Sequence, residues 1–269
     1  MEEDLTLYNQ EGTKLRKAQK SMLGMLIVFD KICKKHNISY WLEFGTLIGA
    51  IRHGGFIPWD DDIDVSVLES DMNKLRKVLI EELPDTIAFQ DYTVDSNAFF
   101  PYSRLRDKKT YCYHPHFIKL KEQGLWLDIF QYSVITNNSY KKFVDKLYRR
   151  TFREIHNYGK VKYKSKSKQI FNKCMGYLLH PIAVGLKKIN EGLGKLRRNR
   201  LYACYDTSDH VYPHDTIFPL RTIMFEGHSF YAPNNIDAHL KEIYGDYMKI
   251  PNKDKRRQIL DLDKIEFYE

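Results

Sequence analysis

Cysteine is scarce in this chain: four residues in 269 (Cys33, Cys112, Cys174, Cys204), with no CxxC spacing. That leaves no readable zinc ribbon or disulfide framework and fits a reducing compartment. Long apolar runs are missing as well. No stretch approaches the roughly 18 uninterrupted apolar residues of a membrane span. The N-terminus, MEEDLTLYNQEG, is acidic and polar, without the basic start and apolar run of a signal peptide. A cytoplasmic protein is expected.

What is present supports a folded enzyme. Hydrophobic residues make up 43 % and aromatics 14 %, enough for a real core. The length suits one sizeable domain, or a catalytic domain with an appendage. The net charge of +8 is unevenly spread: residues 141–200 hold 18 Lys/Arg against 3 Asp/Glu, a net of +15, and the rest is net −7. A basic segment on a neutral-to-acidic body should attract something anionic, such as lipid headgroups, nucleic acid or a phosphorylated glycan carrier. Three regions are expected: a catalytic core over 1–140, a basic helical insertion over 141–200, and a C-terminal part over 201–269 packing on the core.

Apolar spacing of three and four predicts a helix from Leu15 to Lys35, stopped by Asn37. Ile38–Phe44 reads as a strand ended by Gly45-Thr46, and Leu47–Arg52 as a short helix closed by Gly54-Gly55. Asp62–Leu68 alternates and reads as a second strand. A helix follows to about Leu83, then strands over Thr86–Tyr92, Phe99–Arg106 and Leu125–Phe130. Residues 141–200 read as helix with a loop near Lys160–Lys168, and His180-Pro181 predicts a break. A last helix runs from Ile236 to Tyr244, capped by Gly245.

The chemistry is concentrated in Trp41-Leu42-Glu43-Phe44-Gly45-Thr46 and Trp59-Asp60-Asp61-Asp62-Ile63-Asp64-Val65. Side chains two apart on a strand share a face, so Asp62 and Asp64 point the same way, with Asp60 beside them if the strand starts early. Carboxylates crowded together repel and are costly to bury. A hard divalent cation, Mg²⁺ or Mn²⁺, resolves that conflict and bridges to substrate phosphates. The Gly45-Thr46 turn offers backbone N–H groups and a hydroxyl to a phosphate, with a helix N-terminus behind it. A third carboxylate is expected alone in an apolar strand, and Asp128 in Leu-Trp-Leu-Asp-Ile-Phe fits. Arg52 offers phosphate binding and His53 acid/base help; an ordinary helix C-terminus, where cations are favoured, explains both equally well.

The run from Tyr40 to Asp64 resembles the LicD family of the nucleotidyltransferase-fold superfamily. Asp128-Ile129-Phe130, Phe225-Glu226-Gly227, Ala232-Pro233 and Tyr244-Gly245-Asp246-Tyr247 are similar to further family stretches. One departure stands at the end: a His is expected after Arg256-Arg257, and Gln258 follows instead. The resemblance implies an α/β (α+β) fold, a mixed sheet flanked by helices. It also implies metal-dependent transfer of a phospho-alcohol, phosphocholine first, from CDP-choline or a related CDP-alcohol. The acceptor would be a sugar hydroxyl of a cell-surface glycan or its lipid-linked precursor, and CMP would be released. Catalytic and metal roles would fall to Asp62, Asp64 and Asp128. Substrate contacts would fall to Gly45, Thr46, Arg52, His53, Trp59 and Asp60.

Competing readings are open at this stage. In a glycosyltransferase Asp-x-Asp motif the carboxylates follow the apolar strand, whereas here they precede it. The same fold could use an NTP and release pyrophosphate, with RNA or a small molecule as acceptor, although nucleic acid is the less expected partner. A member that only binds glycan or membrane is a third reading, against which the intact carboxylate trio stands. Cys112, His114 and His116 alternate along one strand without a fourth ligand, which favours plain strand over a metal site. Trp41, Trp59, Tyr40, Tyr102, Tyr111 and Tyr113 would make a quaternary-ammonium cage if choline is the cargo. Ile170–Leu186 with its basic flanks is expected to meet an anionic membrane surface in preference to forming a buried helix pair.

Overall fold

A computed structural model describes residues 4–115, 117–156, 165–198, 200–204, 210–256 and 258–268. Helix α1 (Lys14–Lys35) is started by Thr13, whose hydroxyl accepts from Arg16 N. It buries Leu15, Ala18, Met22, Met25, Leu26, Phe29, Ile32 and Cys33, the face its spacing predicts. The chain turns at Asn37, at φ 52°, into β1 (Tyr40–Leu42).

Helix α2 (Phe44–His53) begins two residues after β1 ends, so Gly45 and Thr46 lie in its first turn and not in a preceding loop. Glu43 caps it, and Gly54, left-handed at φ 68°, ends it. Strand β2 (Asp64–Leu68) starts at Asp64, so Asp62 belongs to the segment entering the strand. The ladder still reaches back past Asp64, since Asp128 N donates to Ile63 O at 2.8 Å. Helix α3 (Met72–Glu82), β3 (Ile87–Gln90), β4 (Ser103–Asp107), β5 (Thr110–Cys112) and β6 (Trp126–Ile135) follow.

These strands form a mixed sheet in the order β1-β2-β6-β4-β3. Among the described residues only the β2–β6 pair is parallel, and it places Asp64 opposite Asp128. The other pairings on that path are antiparallel. Strand β6, at ten residues, outlasts the six expected and serves two partners along one edge. Residues 126–129 pair with β4, and 132–135 pair with β7 (Leu201–Cys204), which carries β8 (Tyr212–Pro213) beyond it.

Between β6 and β7 stand α4 (Asn138–His156) and α5 (Lys166–Lys195), packed on each other and, through α5, on β6. The expected loop falls largely on residues 157–164, outside the described residues. The expected break at His180-Pro181 is absent: α5 is one helix of 30 residues with Pro181 inside it. An interior proline costs about 3 kcal/mol through its missing N–H and a ring clash. Tertiary contacts on both sides hold the helix through it. His180 Nδ1 lies 2.9 Å from Thr151 Oγ1, Lys187 pairs with Glu69 at 2.9 Å, and Asn190 Oδ1 accepts from Thr136 N at 3.0 Å.

The C-terminal part adds α6 (His214–Ile217), the hairpin β9 (Arg221–Phe225) and β10 (His228–Ala232), α7 (Ile236–Tyr244) and β11 (Ile265–Phe267). Glu226 and Gly227, both at positive φ, make the two-residue hairpin turn. Strand β11 pairs with β5, so the tail returns to the core.

Candidate active site

The parallel pairing of β2 and β6 sets the geometry. Residues facing each other across neighbouring strands are about 4.8 Å apart and share a sheet face. Asp64 and Asp128 therefore stand side by side, both buried. Asp62 enters just ahead of β2, and Asp60 lies beneath the first turn of α2. A Cβ built on Gly45 would come within 2.7 Å of Asp60 Oδ2, so glycine leaves room for this acid at the helix start without a shift of its side chain. Thr46 Oγ1 accepts from Asp64 N at 2.9 Å, tying α2 to the first residue of β2. Gln19 Nε2 holds Asp60 O at 2.9 Å from α1.

The electrostatics are those of carboxyls crowded out of water. Burial, then Asp60, Asp61 and Asp128, push Asp62 well above the usual carboxylate range. Burial, then Asp62 and Asp128, do the same to Asp64. Burial and the neighbouring Asp61 raise Asp60 to about 7. Asp61 is raised to about 6 by burial, against two backbone donors, Ile259 N and Leu260 N, at 2.7 and 2.6 Å from its Oδ2. Asp128 is raised by burial and pulled back by Arg104, which donates from Nε at 2.5 Å and from Nη2 at 3.2 Å, one bond to each oxygen.

Asp60, Asp61 and Asp62 form the group of three acids, among the described residues, whose oxygens all lie within 4.8 Å of one another. Asp64 and Asp128 are not in that group, and Asp128 is paired with Arg104. Asp61 is also engaged, by the C-terminal segment. The oxygen-rich, mutually repelling set of Asp62 and Asp64, with Asp60 and Asp128 at its sides, suits a hard divalent cation. Cysteine and histidine ligands that would favour a softer metal are absent from it.

The remaining predicted residues fall around this cluster with narrower options than the sequence allowed. Arg52 is committed to protein: Nε donates to His53 Nε2 at 2.9 Å and Nη1 to Tyr247 O at 2.8 Å. Burial and Arg52 push His53 down to about 4, so it is neutral near pH 7, with Nε2 already accepting. Trp59 is buried, with Tyr8 edge-on and the Arg256 guanidinium 4.4 Å from its ring centre. The six aromatics imagined as one cage are dispersed. Tyr40 packs on Phe29 and Tyr231, and Trp41 on Tyr132 and Phe218. Tyr113 sits beside Lys264. Tyr102 joins Phe100, Phe117 and Trp126 around Arg104, a cation already in place. Cys112 is buried in β5 with its thiol pushed up to about 12, mainly by burial, and His114 packs on Phe117. His116 lies outside the described residues.

Sequence reasoning missed three features. Arg104 carries a signal: Ser103-Arg104-Leu105-Arg106 puts two arginines on one face of a strand. Arg106 is fully buried on Gln90 Oε1 and Gly124 O, and burial pushes it down to about 9. Tyr244, at the end of α7, is 45 % exposed. Its phenol is raised by burial of its hydroxyl end and then by the negative charge of Asp64, Glu43, Asp60 and Asp62. The third is a buried network centred on Glu43, which accepts from Trp41 Nε1 (2.8 Å), Ser66 Oγ (2.8 Å) and the His239 ring (2.6 Å). No local pattern links residues 43 and 239.

The raised carboxyls carry a pH prediction. A group whose folded pKa exceeds its unfolded value stabilises the native state below the unfolded pKa, and that stability is lost as pH rises through the folded one. For Asp60 and Asp61 the window runs from the unfolded value, near 4, to about 7 and about 6. The metal-free protein should lose roughly 5 °C of melting temperature between about pH 5.5 and 7.5 relative to the Mg²⁺-loaded protein. Melting curves in EDTA and in Mg²⁺ at both values measure this. A gap that does not widen with pH refutes it.

A mixed sheet with a helix start and paired carboxylates at adjoining strand ends is the arrangement of a nucleotidyltransferase fold. Residues 37–162 match the family described as LicD/FKTN/FKRP, nucleotidyltransferase domain. The likeness to that family lies in this stretch, 126 of the chain's 269 residues. It is 27 % identical over 266 residues to the lipopolysaccharide cholinephosphotransferase LicD of Haemophilus influenzae, covering 90 % of this chain and 94 % of that protein. It is 34 % identical over 64 residues to the human ribitol 5-phosphate transferase FKRP, covering 24 % of this chain and 12 % of that protein. A terminal uridylyl transferase 4 structure from Trypanosoma brucei with bound GTP matches at 9 % identity and a TM-score of 0.25, over 52 % of this chain and 40 % of that one. That superposition is too loose to add to the assignment.

Proposed function

We propose that the chain is a phosphotransferase of the LicD type that moves a phospho-alcohol, phosphocholine by preference, from a CDP-linked donor to a sugar hydroxyl of a cell-surface glycan or its precursor. The observation that carries this reading is the crowding of acids beside the start of α2: Asp64 opposite Asp128 in the ladder, with Asp62 and Asp60 next to them. Such a site favours a metal-bridged diphosphate over a neutral substrate.

Asp62 and Asp64 would hold Mg²⁺ or Mn²⁺, with Asp60 supporting from below the helix. When bound there, the cation would supply neutralisation of the diphosphate charge. The amides of Gly45 and Thr46, in the open first turn of α2, receive phosphate oxygens. The acceptor hydroxyl oxygen forms a bond to the choline-bearing phosphorus as the bond to the CMP oxygen breaks. The hydroxyl proton passes to a carboxylate, Asp128 by preference. Arg104 orients that carboxylate, and each of its oxygens keeps a second lone pair. Positioning and charge neutralisation supply most of the acceleration.

A panel of CDP-choline, CDP-ethanolamine, CDP-ribitol and CDP-glycerol, assayed for Mg²⁺-dependent CMP release with glycan acceptors, tests this. CDP-choline is expected to lead the panel. Pyrophosphate release from an NTP, with no CDP-alcohol turned over, would replace the proposal with nucleotidyl transfer.

A further inference from the structure

Helix α5 is amphipathic in the inverted sense. Its inward residues are small or polar: Gly176, Ala183, Lys187, Asn190 and Gly194. Gly194 meets the Ile135 backbone so closely that a Cβ there would stand 2.8 Å from the carbonyl carbon. Its large apolar residues point outward. Phe171, Leu178, Ile182, Ile189, Leu193 and the capping Leu196 are spaced by three, four or seven, so they share one face. They are between 51 % and 84 % exposed. The stripe runs through Pro181 and is about 38 Å long at 1.5 Å per residue.

Its surroundings are cationic. Lys168, Lys188, Arg197 and Arg198 are exposed along and beyond the helix. Of the three acids in 141–200, Asp145 is paired with Arg149 at 2.8 Å and Glu191 with Lys195 at 3.0 Å. We infer that this face of α5 docks on an anionic lipid bilayer, with the apolar stripe in the acyl boundary and the basic residues at the headgroups. A second copy of the chain fits poorly, because its own segment of net +15 would oppose an identical charge. The helix lies in the interface and does not cross it, since no helix among the described residues is long and apolar enough to span.

Sedimentation of the full chain with phosphatidylcholine vesicles, with and without phosphatidylglycerol, tests the docking. Partition should be at least tenfold stronger onto the anionic vesicles, and the triple substitution Leu178→Glu, Ile182→Glu, Ile189→Glu should lower it on the order of 100-fold. The unaltered protein supplies a second measurement. Cys174 is exposed beside the stripe, whereas Cys33, Cys112 and Cys204 are buried. A polarity-sensitive dye on Cys174 should shift to the blue on anionic vesicles. Equal partition of both proteins, or no shift of the dye, overturns the inference. So does a dimer in solution that the triple substitution dissolves, which would give the face to a second copy. Capture of only an acidic protein, without vesicle binding, overturns it as well. Neither measurement reads catalysis, so the outcome is independent of the phosphotransfer proposal.

Discussion

Asp64→Asn is expected to lower Mg²⁺-dependent CMP release about a thousandfold while leaving the fold intact. The fold survives because the structural bonds at this position belong to the backbone. Asp64 N donates to Thr46 Oγ1 at 2.9 Å, and Asp64 O accepts from Glu43 N at 3.0 Å. Asparagine keeps both. What it removes is one of two adjoining carboxylates proposed to hold the cation, and an amide is a weak ligand for a hard metal. Without metal, the melting temperature should hold or rise, since one repelling acid has gone. Single-turnover CMP release and a melting curve on the same preparation decide the matter. A variant keeping more than about a tenth of wild-type turnover, or wild-type turnover persisting in excess EDTA, would sink the metal mechanism.

The second large effect is structural. Glu43→Ala should cost about 3–5 kcal/mol, roughly 10 °C in melting temperature for a chain of this size. Glu43 and His239 are both fully buried, and their contact joins the start of α2 to α7 across nearly the whole sequence. Burial works to raise the Glu43 carboxyl, but His239 and the bonds from Ser66 and Trp41 outweigh it, so the group is held below its ordinary value. Removing it leaves Trp41 Nε1, Ser66 Oγ and the His239 ring without their acceptor. Glu43→Gln keeps an acceptor oxygen and should lose less than half as much. A double-mutant cycle with His239→Ala isolates the pair. Independent, additive losses would show that the contact carries no coupling.

The two effects separate what local pattern can encode from what it cannot. Helix α1, helix α7 and the core side of β2 were legible because each is a periodic element whose apolar face has one destination. Element edges were less so. Nothing in Gly45-Thr46 says whether it closes a strand or opens a helix, and the structure puts it in α2. The continuation of α5 through Pro181 is a case of tertiary contacts on both sides outweighing a local penalty. The length of β6 was hidden for a related reason: its second half depends on β7, some 70 residues later, for a partner.

The sequence by itself determined the Asp60–Asp64 acid run, the lone Asp128 in an apolar strand, and the likeness to LicD, because these depend on residue order over short spans. Only the tertiary structure decided that Asp64 and Asp128 are neighbours in a parallel pair, since register between distant strands is not written in either strand. It alone placed Arg104 on Asp128, gave Arg52 and His53 to each other, and scattered the aromatic residues. It also showed which apolar residues of α5 face outward, on a segment where the sequence favoured a surface helix over a buried pair. The physical reason is the same throughout. Burial and charge pairing are properties of the space around a residue, and that space is filled by segments far away in the chain.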